Sequence, residues 1–529
     1  MAWQRFSVCI AVLGLVAACG HRPATPGAQR ATATPIHHLV VVFQENVSFD
    51  HYFGTYPHAA NTDGQPFTAK PDTPAVDGLT PELLAHNPNA AAPIRLGGPA
   101  QQVTCDQDHA YQAEQAAFDG GAMDRFVEHT EGDPCAPPSF NTPGLVMGYY
   151  DGNTVTALWN YAQHYALSDN FYNTTFGPSS PGHINLVSGQ THGITTKFMP
   201  GGRPFPPLAV IDDTGGGLGT LIDDSQPFGD DCSNRDQVQF AAGNKNIGDL
   251  LNAEDIAWGW FQGGFKPTAR ADGEAECGAQ HNIGAALGGT GAAGALAFGT
   301  KADYVPHHEP FQYYPSTANP HHLPPSAIDK IGSSDQANHQ YDLSDFWAAA
   351  DAGHLPSVSF LKPPAYENGH AGYSDPLDEQ RFVVDTINHL QRLPEWRDMA
   401  IVIAYDDSDG WYDHKPSPIV SPSATPQDAL NGPGRCGDAA TAPVAYQGRC
   451  GYGPRLPLLV ISPYARANFV DHTLTDQTSI LRFIEDNWST GRIGDHSLDE
   501  RAGALGAMFD FTGPLQPGLS LDAGTGNPR

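Results

Sequence analysis

His38-Leu39-Val40-Val41-Val42-Phe43, with Gln44-Glu45-Asn46 directly behind it, is an apolar run with β-branched residues at its centre and a polar exit. A strand exposed on one face alternates apolar and polar side chains, whereas one apolar throughout suits a parallel strand covered on both faces. The same form recurs at Met399–Tyr405 ahead of Asp406-Asp407, at Leu456–Ser462, and in a fourth stretch at Ser357–Leu361. Between these runs the spacing predicts helices over 108–128, 153–164, 376–392 and 474–488. Strands alternating with helices indicate an α/β layered sheet. Ligands of such sheets bind beyond the carboxyl ends of the strands, and Glu45, Asn46, Asp406 and Asp407 fall there.

Working outward, Pro- and Gly-rich stretches at 63–103, 198–217 and 413–437 read as long loop excursions, and 283–300 as a small-residue loop. The chain of 529 residues is ample for a large core, and 36–529 reads as a single domain. Asp and Glu number 58 against 27 Lys and Arg, for a net charge of −31. Without a broad basic surface, nucleic acid is excluded as a partner. An anionic ligand would need local cations, and the 23 histidines and a bound metal are the candidates.

Arg5 precedes an apolar run from Phe6 to Ala18, too short to span a membrane as a mature helix. Val16-Ala17-Ala18-Cys19 resembles the bacterial lipobox. The expectation is a lipoprotein signal peptide over 1–19, a lipid anchor at Cys19 as the sole membrane attachment, and a tether over 20–35. Ordinary cleavage after a small residue is the alternative. Either makes the protein exported, as a periplasmic or outer-membrane lipoprotein or a secreted protein. Setting aside Cys9 and Cys19, six cysteines remain, an even number that suggests disulfides in an exported chain. Neighbourhood favours 105–135, 232–277 and 436–450, among fifteen pairings that six cysteines allow. No CxxC pair supports a zinc site.

Two acids and an amide at strand ends make a site for a hard divalent cation such as Ca, Mg or Mn. Alone, Asp406-Asp407 would also suit a solvated turn, but adjacent like charges at a strand end repel unless a cation sits between them. Phe176-Gly177-Pro178-Ser179-Ser180-Pro181-Gly182-His183 reads as a turn presenting a hydroxyl. No Gly-x-Ser-x-Gly elbow is present, so a lipase-type triad is not indicated. His109, His307-His308, His321-His322 and His370 lie in polar loops, where histidine can bind an anion or protonate a leaving alkoxide.

Glu45-Asn46-Val47-Ser48-Phe49-Asp50-His51-Tyr52-Phe53-Gly54 closely resembles the ENxSFDHYFG opening of the bacterial phosphoesterase family, which holds exported acid phosphatases and phospholipases C. Tyr405 to His414 resembles its second metal motif and Gly177-Pro178-Ser179 its nucleophile turn. Pro306 to Tyr314 and Asn368-Gly369-His370 also match, in order, over about residues 36 to 490. The resemblance implies a fold similar to alkaline phosphatases and arylsulfatases, a central, mostly parallel sheet flanked by helices, and makes 36–529 the catalytic domain. It implies one divalent metal held by Glu45, Asn46, Ser179, Asp406 and Asp407. Ser179 would attack phosphorus to form a phosphoserine, and His109, His307, His308 and His370 would contact phosphate or protonate the leaving group. His183 is left outside this set, and His472 reads as structural.

Within the family, phospholipases C usually carry Thr-His after the Gly-Pro, where this chain has Ser179-Ser180, and many have Asp-Glu in place of Asp406-Asp407. The larger ones also carry C-terminal extension domains, and Arg529 follows soon after the last core helix. These features point to a metal-dependent acid phosphatase acting on small phosphomonoesters. The runner-up is a phospholipase C acting on phospholipid. A reading from another class is a catalytically silent, metal- or ligand-binding surface lipoprotein, which a missing ligand or nucleophile would have supported. A sulfatase would need a Cys/Ser-x-Pro-x-Arg context that 179–183 does not supply.

Overall fold

β1 (His38–Gln44) is buried from Leu39 to Gln44, as its uniformly apolar sequence requires. A computed structural model describes Met1 and residues 31–529, apart from 213–216, 288–297 and 439–444. Residues 2–19 of the signal peptide, Cys19 among them, lie outside the described residues, as do most of the tether and much of the 283–300 loop. Residues 33 and 34 are not tether-like, since Ala33 N–H donates to Asn487 O at 2.9 Å and Thr34 Oγ1 to Asn487 Oδ1 at 2.7 Å.

β1 lies inside a nine-stranded sheet. The other strands are β2 (Ala166–Tyr172), β3 (Trp258–Gln262), β4 (Gln340–Asp342), β5 (Val358–Lys362), β6 (Met399–Tyr405), β7 (Arg455–Ile461), β8 (Phe469–Asp471) and β9 (Thr475–Asp476). The order is β4-β3-β5-β1-β6-β7-β2-β8, with β9 beside β2. All pairs are parallel except β6–β7 and β7–β2. The expected α/β class with a mostly parallel sheet is therefore the observed one. The register sets the site: Gln44 pairs with Tyr405, so Glu45 and Asp406 leave adjacent strands side by side.

Helices flank the sheet: α1 (Phe49–Phe53), α2 (Tyr111–Phe118), α3 (Thr156–His164), α4 (Ser179–Ser188), α5 (Leu343–Asp351), α6 (Pro376–Leu390) and α7 (Gln477–Trp488). The helix expected over 108–128 stops at Phe118, because Asp119, Gly120 and Gly121 all take positive φ, the usual way a helix is terminated. The turn expected at 176–183 ends at Pro178, and Ser179 begins α4 instead. Pro181 fits there because the first helical turn needs no N–H from it. A separate five-stranded sheet, which includes His192–Phe198 and Gln237–Phe240, follows α4.

The three disulfides pair Cys105–Cys135, Cys232–Cys277 and Cys436–Cys450, each closing one long loop. A protein spanning residues 31–529, denatured without reductant, should therefore titrate no free thiol, and six after reduction. Two or more reactive thiols before reduction would contradict the pairing. Among the described residues no helix is long and apolar enough to cross a membrane.

Candidate active site

The carboxyl ends of β1, β5 and β6 and the amino end of α4 converge on one buried cluster. Asn46 takes a left-handed φ of 47°. This sharp exit from β1 lets its N–H donate to Asp406 Oδ1 at 3.2 Å, beside the Asp407 N–H at 2.9 Å. Ser179 Oγ lies 3.2 Å from Asp407 Oδ2 and 3.4 Å from Glu45 Oε2. Two glycines make this approach feasible. Gly177 carries φ of 115°, and a Cβ on Gly182 would sit 2.2 Å from the Asp406 carbonyl oxygen. α4 thus lies directly on the end of β6, with its positive dipole end at the cluster.

Glu45, Asp406 and Asp407 are fully buried. Burial, and then the Asp406 charge, push the Glu45 carboxyl well above the usual range, against the pull of Lys362. Burial and Asp406 do the same to Asp407. Asn46 Oδ1 and Asp406 Oδ2 are buried without a hydrogen-bond partner. Three crowded carboxyls, a hydroxyl and an amide oxygen, all hard donors with lone pairs to spare, fit a divalent cation.

The histidines expected in the site are all there. His308 Nδ1 lies 3.1 Å from Glu45 Oε1, and His109 Nδ1 lies 3.2 Å from Asp409 Oδ1. The His370 and His109 rings are 5.9 Å apart, and His307 Nε2 lies 3.7 Å from Asp224 Oδ2. His321 and His322 lie elsewhere, paired with Asp231 and Asp230, and His472 pairs with Asp169 as a structural residue.

The expectation that histidines carry the positive charge needs correction. Burial pushes His307 down to about 3 and His370 down to about 4, and puts His308 well below its ordinary value. Only for His109 do Asp407, Asp409 and Asp106 outweigh burial and hold the ring charged. Three basic side chains outside the expected set stand close by. Lys362 is buried against Glu45, and Arg235 Nη2 donates to His307 Nδ1 at 3.3 Å. Lys301 Nζ sits 3.8 Å over the Tyr373 ring, which stacks on His370 at 4.2 Å.

His183, left out of the expected set, lies behind the hydroxyl. Its Nδ1 bonds Ser179 O at 2.8 Å and lies 3.5 Å from Asp406 Oδ2, and its ring stacks on His308 at 5.1 Å. Four residues after Ser179, it falls on the same helical face, a signal available once 179–188 is read as a helix.

A model of the phosphoesterase family matches residues 36–491. The chain belongs to the phosphoesterase family. As such it is a hydrolase of ester bonds. It is 25% identical to Phospholipase C B of Mycobacterium tuberculosis over 92% of this chain and 79% of that protein. It is 24% identical to the non-hemolytic phospholipase C of Pseudomonas aeruginosa over 92% and 60% of the two chains. It is 22% identical to non-specific phospholipase C6 of Arabidopsis thaliana over 83% and 63%. Among solved structures, an alkaline phosphatase superfamily protein from Vibrio parahaemolyticus aligns over 74% of this chain and 80% of that one, at 11% identity and a TM-score of 0.27.

Proposed function

We propose that this phosphoesterase hydrolyses phosphomonoesters by attack of Ser179 on phosphorus, as an exported, metal-dependent enzyme. The observation that carries it is the Ser179 hydroxyl at the amino end of α4, in contact with Asp407 and Glu45. Glu45, Asn46, Ser179, Asp406 and Asp407 would hold one divalent cation. When bound, it would lower the pKa of the serine hydroxyl and neutralise phosphoryl oxygens. The residues themselves do the rest. The α4 amino end and His109 face the phosphoryl group, with Arg235 and Lys301 adding charge from behind His307 and Tyr373. Ser179 takes the phosphoryl group, and the alkoxide leaves with a proton from His109, the one ring of the four held charged, while His370, neutral and with Nδ1 tied to the Ala371 carbonyl at 2.5 Å, has no proton on Nε2 to give. Water then cleaves the phosphoserine.

A monoester dianion carries more charge than a diester, and the fixed cations around the site favour it. The second reading, phospholipase C, rests on the names of the similar proteins. Steady-state kcat/KM on p-nitrophenyl phosphate and on phosphatidylcholine vesicles, both with metal in excess, tests the choice. A higher value on the monoester is expected, and a reversed order would install the phospholipase reading. Activity on neither would leave a binding protein.

Glu45→Gln and Asp406→Asn should each weaken metal binding by at least about tenfold, because each removes a charge from a hard-oxygen site. Metal per chain after dialysis, read by mass spectrometry, is the measurement. Unchanged stoichiometry in both variants would remove these ligands.

A further inference from the structure

Lys362 ends β5, whose other residues, Val358 to Leu361, include three apolar side chains. Its side chain is fully buried. Parallel pairing of β5 with β1 matches Leu361 to Val42, which brings Lys362 level with the exit of β1. There its ammonium contacts Glu45 Oε1 and lies 5.6 Å from the Phe43 ring. Burying an ammonium costs several kcal/mol, so a residue serving only to pack would be leucine or methionine.

The charges around it give the reason. Glu45, Asp406 and Asp407 bring three negative charges, and a dication leaves one uncancelled. Asp409 is offset by His109 at 3.2 Å. His308 and His183 approach the same Glu45 oxygen at 3.1 and 3.8 Å, but an imidazole carries charge only when protonated. Arg235 and Lys301 touch His307 and Tyr373 rather than these carboxylates, although Lys301 feels the Glu45 charge at longer range. Among the described residues, Lys362 is the one lysine or arginine touching the cluster.

We propose that Lys362 is a charge-setting residue: it cancels the last negative charge of the metal-loaded cluster, so that a dianionic phosphoryl group meets a neutral centre. It touches no substrate and acts through Glu45, which makes it a positioning residue. The inference rests on the proposed metal site at Glu45, Asp406 and Asp407.

The test uses metal-saturated wild-type protein, Lys362→Gln and Lys362→Arg. Metal per chain is read by mass spectrometry, and binding of inorganic phosphate by calorimetry at about pH 8, where phosphate is a dianion. Glutamine keeps a donor for Glu45 but loses the charge; arginine keeps both. Full metal occupancy in all three is expected, with phosphate affinity down by about tenfold or more in Lys362→Gln and restored in Lys362→Arg. Phosphate affinity unchanged in Lys362→Gln at full occupancy would overturn the proposal. So would an equal loss in both variants, or loss of metal from Lys362→Gln, since either would make Lys362 a holder of Glu45 geometry. Lys362→Met takes the place of the glutamine variant if that fails to fold. A wild-type protein that binds no metal would instead bring down the metal reading, and this inference with it.

Discussion

Ser179→Ala should lower kcat by at least about a thousandfold on any phosphate ester while leaving the fold intact. The neighbouring Ser180 hydroxyl does not take its place. The Ser180 side chain points to Tyr313 Oη at 3.3 Å, and its backbone N–H is held by Asp224 at 2.8 Å. Ser179 is only 1% exposed, and its Oγ makes one weak contact with each of Asp407 and Glu45, so its removal should cost stability about 1 kcal/mol or less. Single-turnover kinetics and urea midpoints separate the two effects. Acid quench of the wild type during turnover should show a phosphoryl group on the peptide holding Ser179. Ser180→Ala should stay within a few-fold of wild type; if it loses activity and Ser179→Ala keeps it, the nucleophile is misassigned.

Where the sequence was legible, one physical signal dominated. β1, β5, β6 and β7 are buried on both faces, so their apolar runs stand out, and the polar residues ending them mark the site. β2 was not legible. Its Ala166-Leu167-Ser168-Asp169-Asn170-Phe171-Tyr172 is polar at the centre, and Asp169 is buried only because Asp77 N–H and His472 satisfy its carboxylate. Those partners come from distant segments that local pattern cannot pair. α4 was hidden for a different reason, since Pro181 and Gly182 suggest a turn, yet Gly182 is what lets the helix lie on Asp406. Lys362 carried a readable signal, a lone cation at the end of a mostly apolar strand. Its depth of burial was not readable, because that depends on which strands become neighbours.

The motif residues also divide in a way that composition does not show. Of the first motif, Glu45 and Asn46 serve the site, whereas Asp50 and His51 tie the motif to the second one. Asp50 N–H donates to Asp413 Oδ2 at 3.1 Å, and the His51 ring stacks on Trp411 at 4.1 Å. The group Asp50, Asp413 and His414 could ligate a metal by spacing alone, but Arg455 occupies its centre. The guanidinium is fully buried and lies 3.0 Å from Asp50 Oδ1 and 3.1 Å from Asp413 Oδ1.

This clamp should make the protein's stability depend on Arg455 and, through His414, on pH. Arg455→Met should destabilise by about 3–5 kcal/mol, because it leaves Asp50 and Asp413 buried without their cation. His414 Nδ1 lies 2.7 Å from Asp50 Oδ2. Burial alone would lower this ring, but Asp50, by charge and hydrogen bond, together with Asp413, raises it to about 9. A group raised on folding binds its proton more tightly in the native state, so its contribution is complete below the unfolded value near 6.5 and fades as pH climbs through about 9. The shift corresponds to no more than about 3 kcal/mol. Wild type should thus lose urea stability between about pH 6.5 and 9 relative to His414→Gln, which cannot titrate there. Two parallel stability curves across that window would mean that His414 stays neutral in the folded protein, and that Arg455 alone balances Asp50 and Asp413.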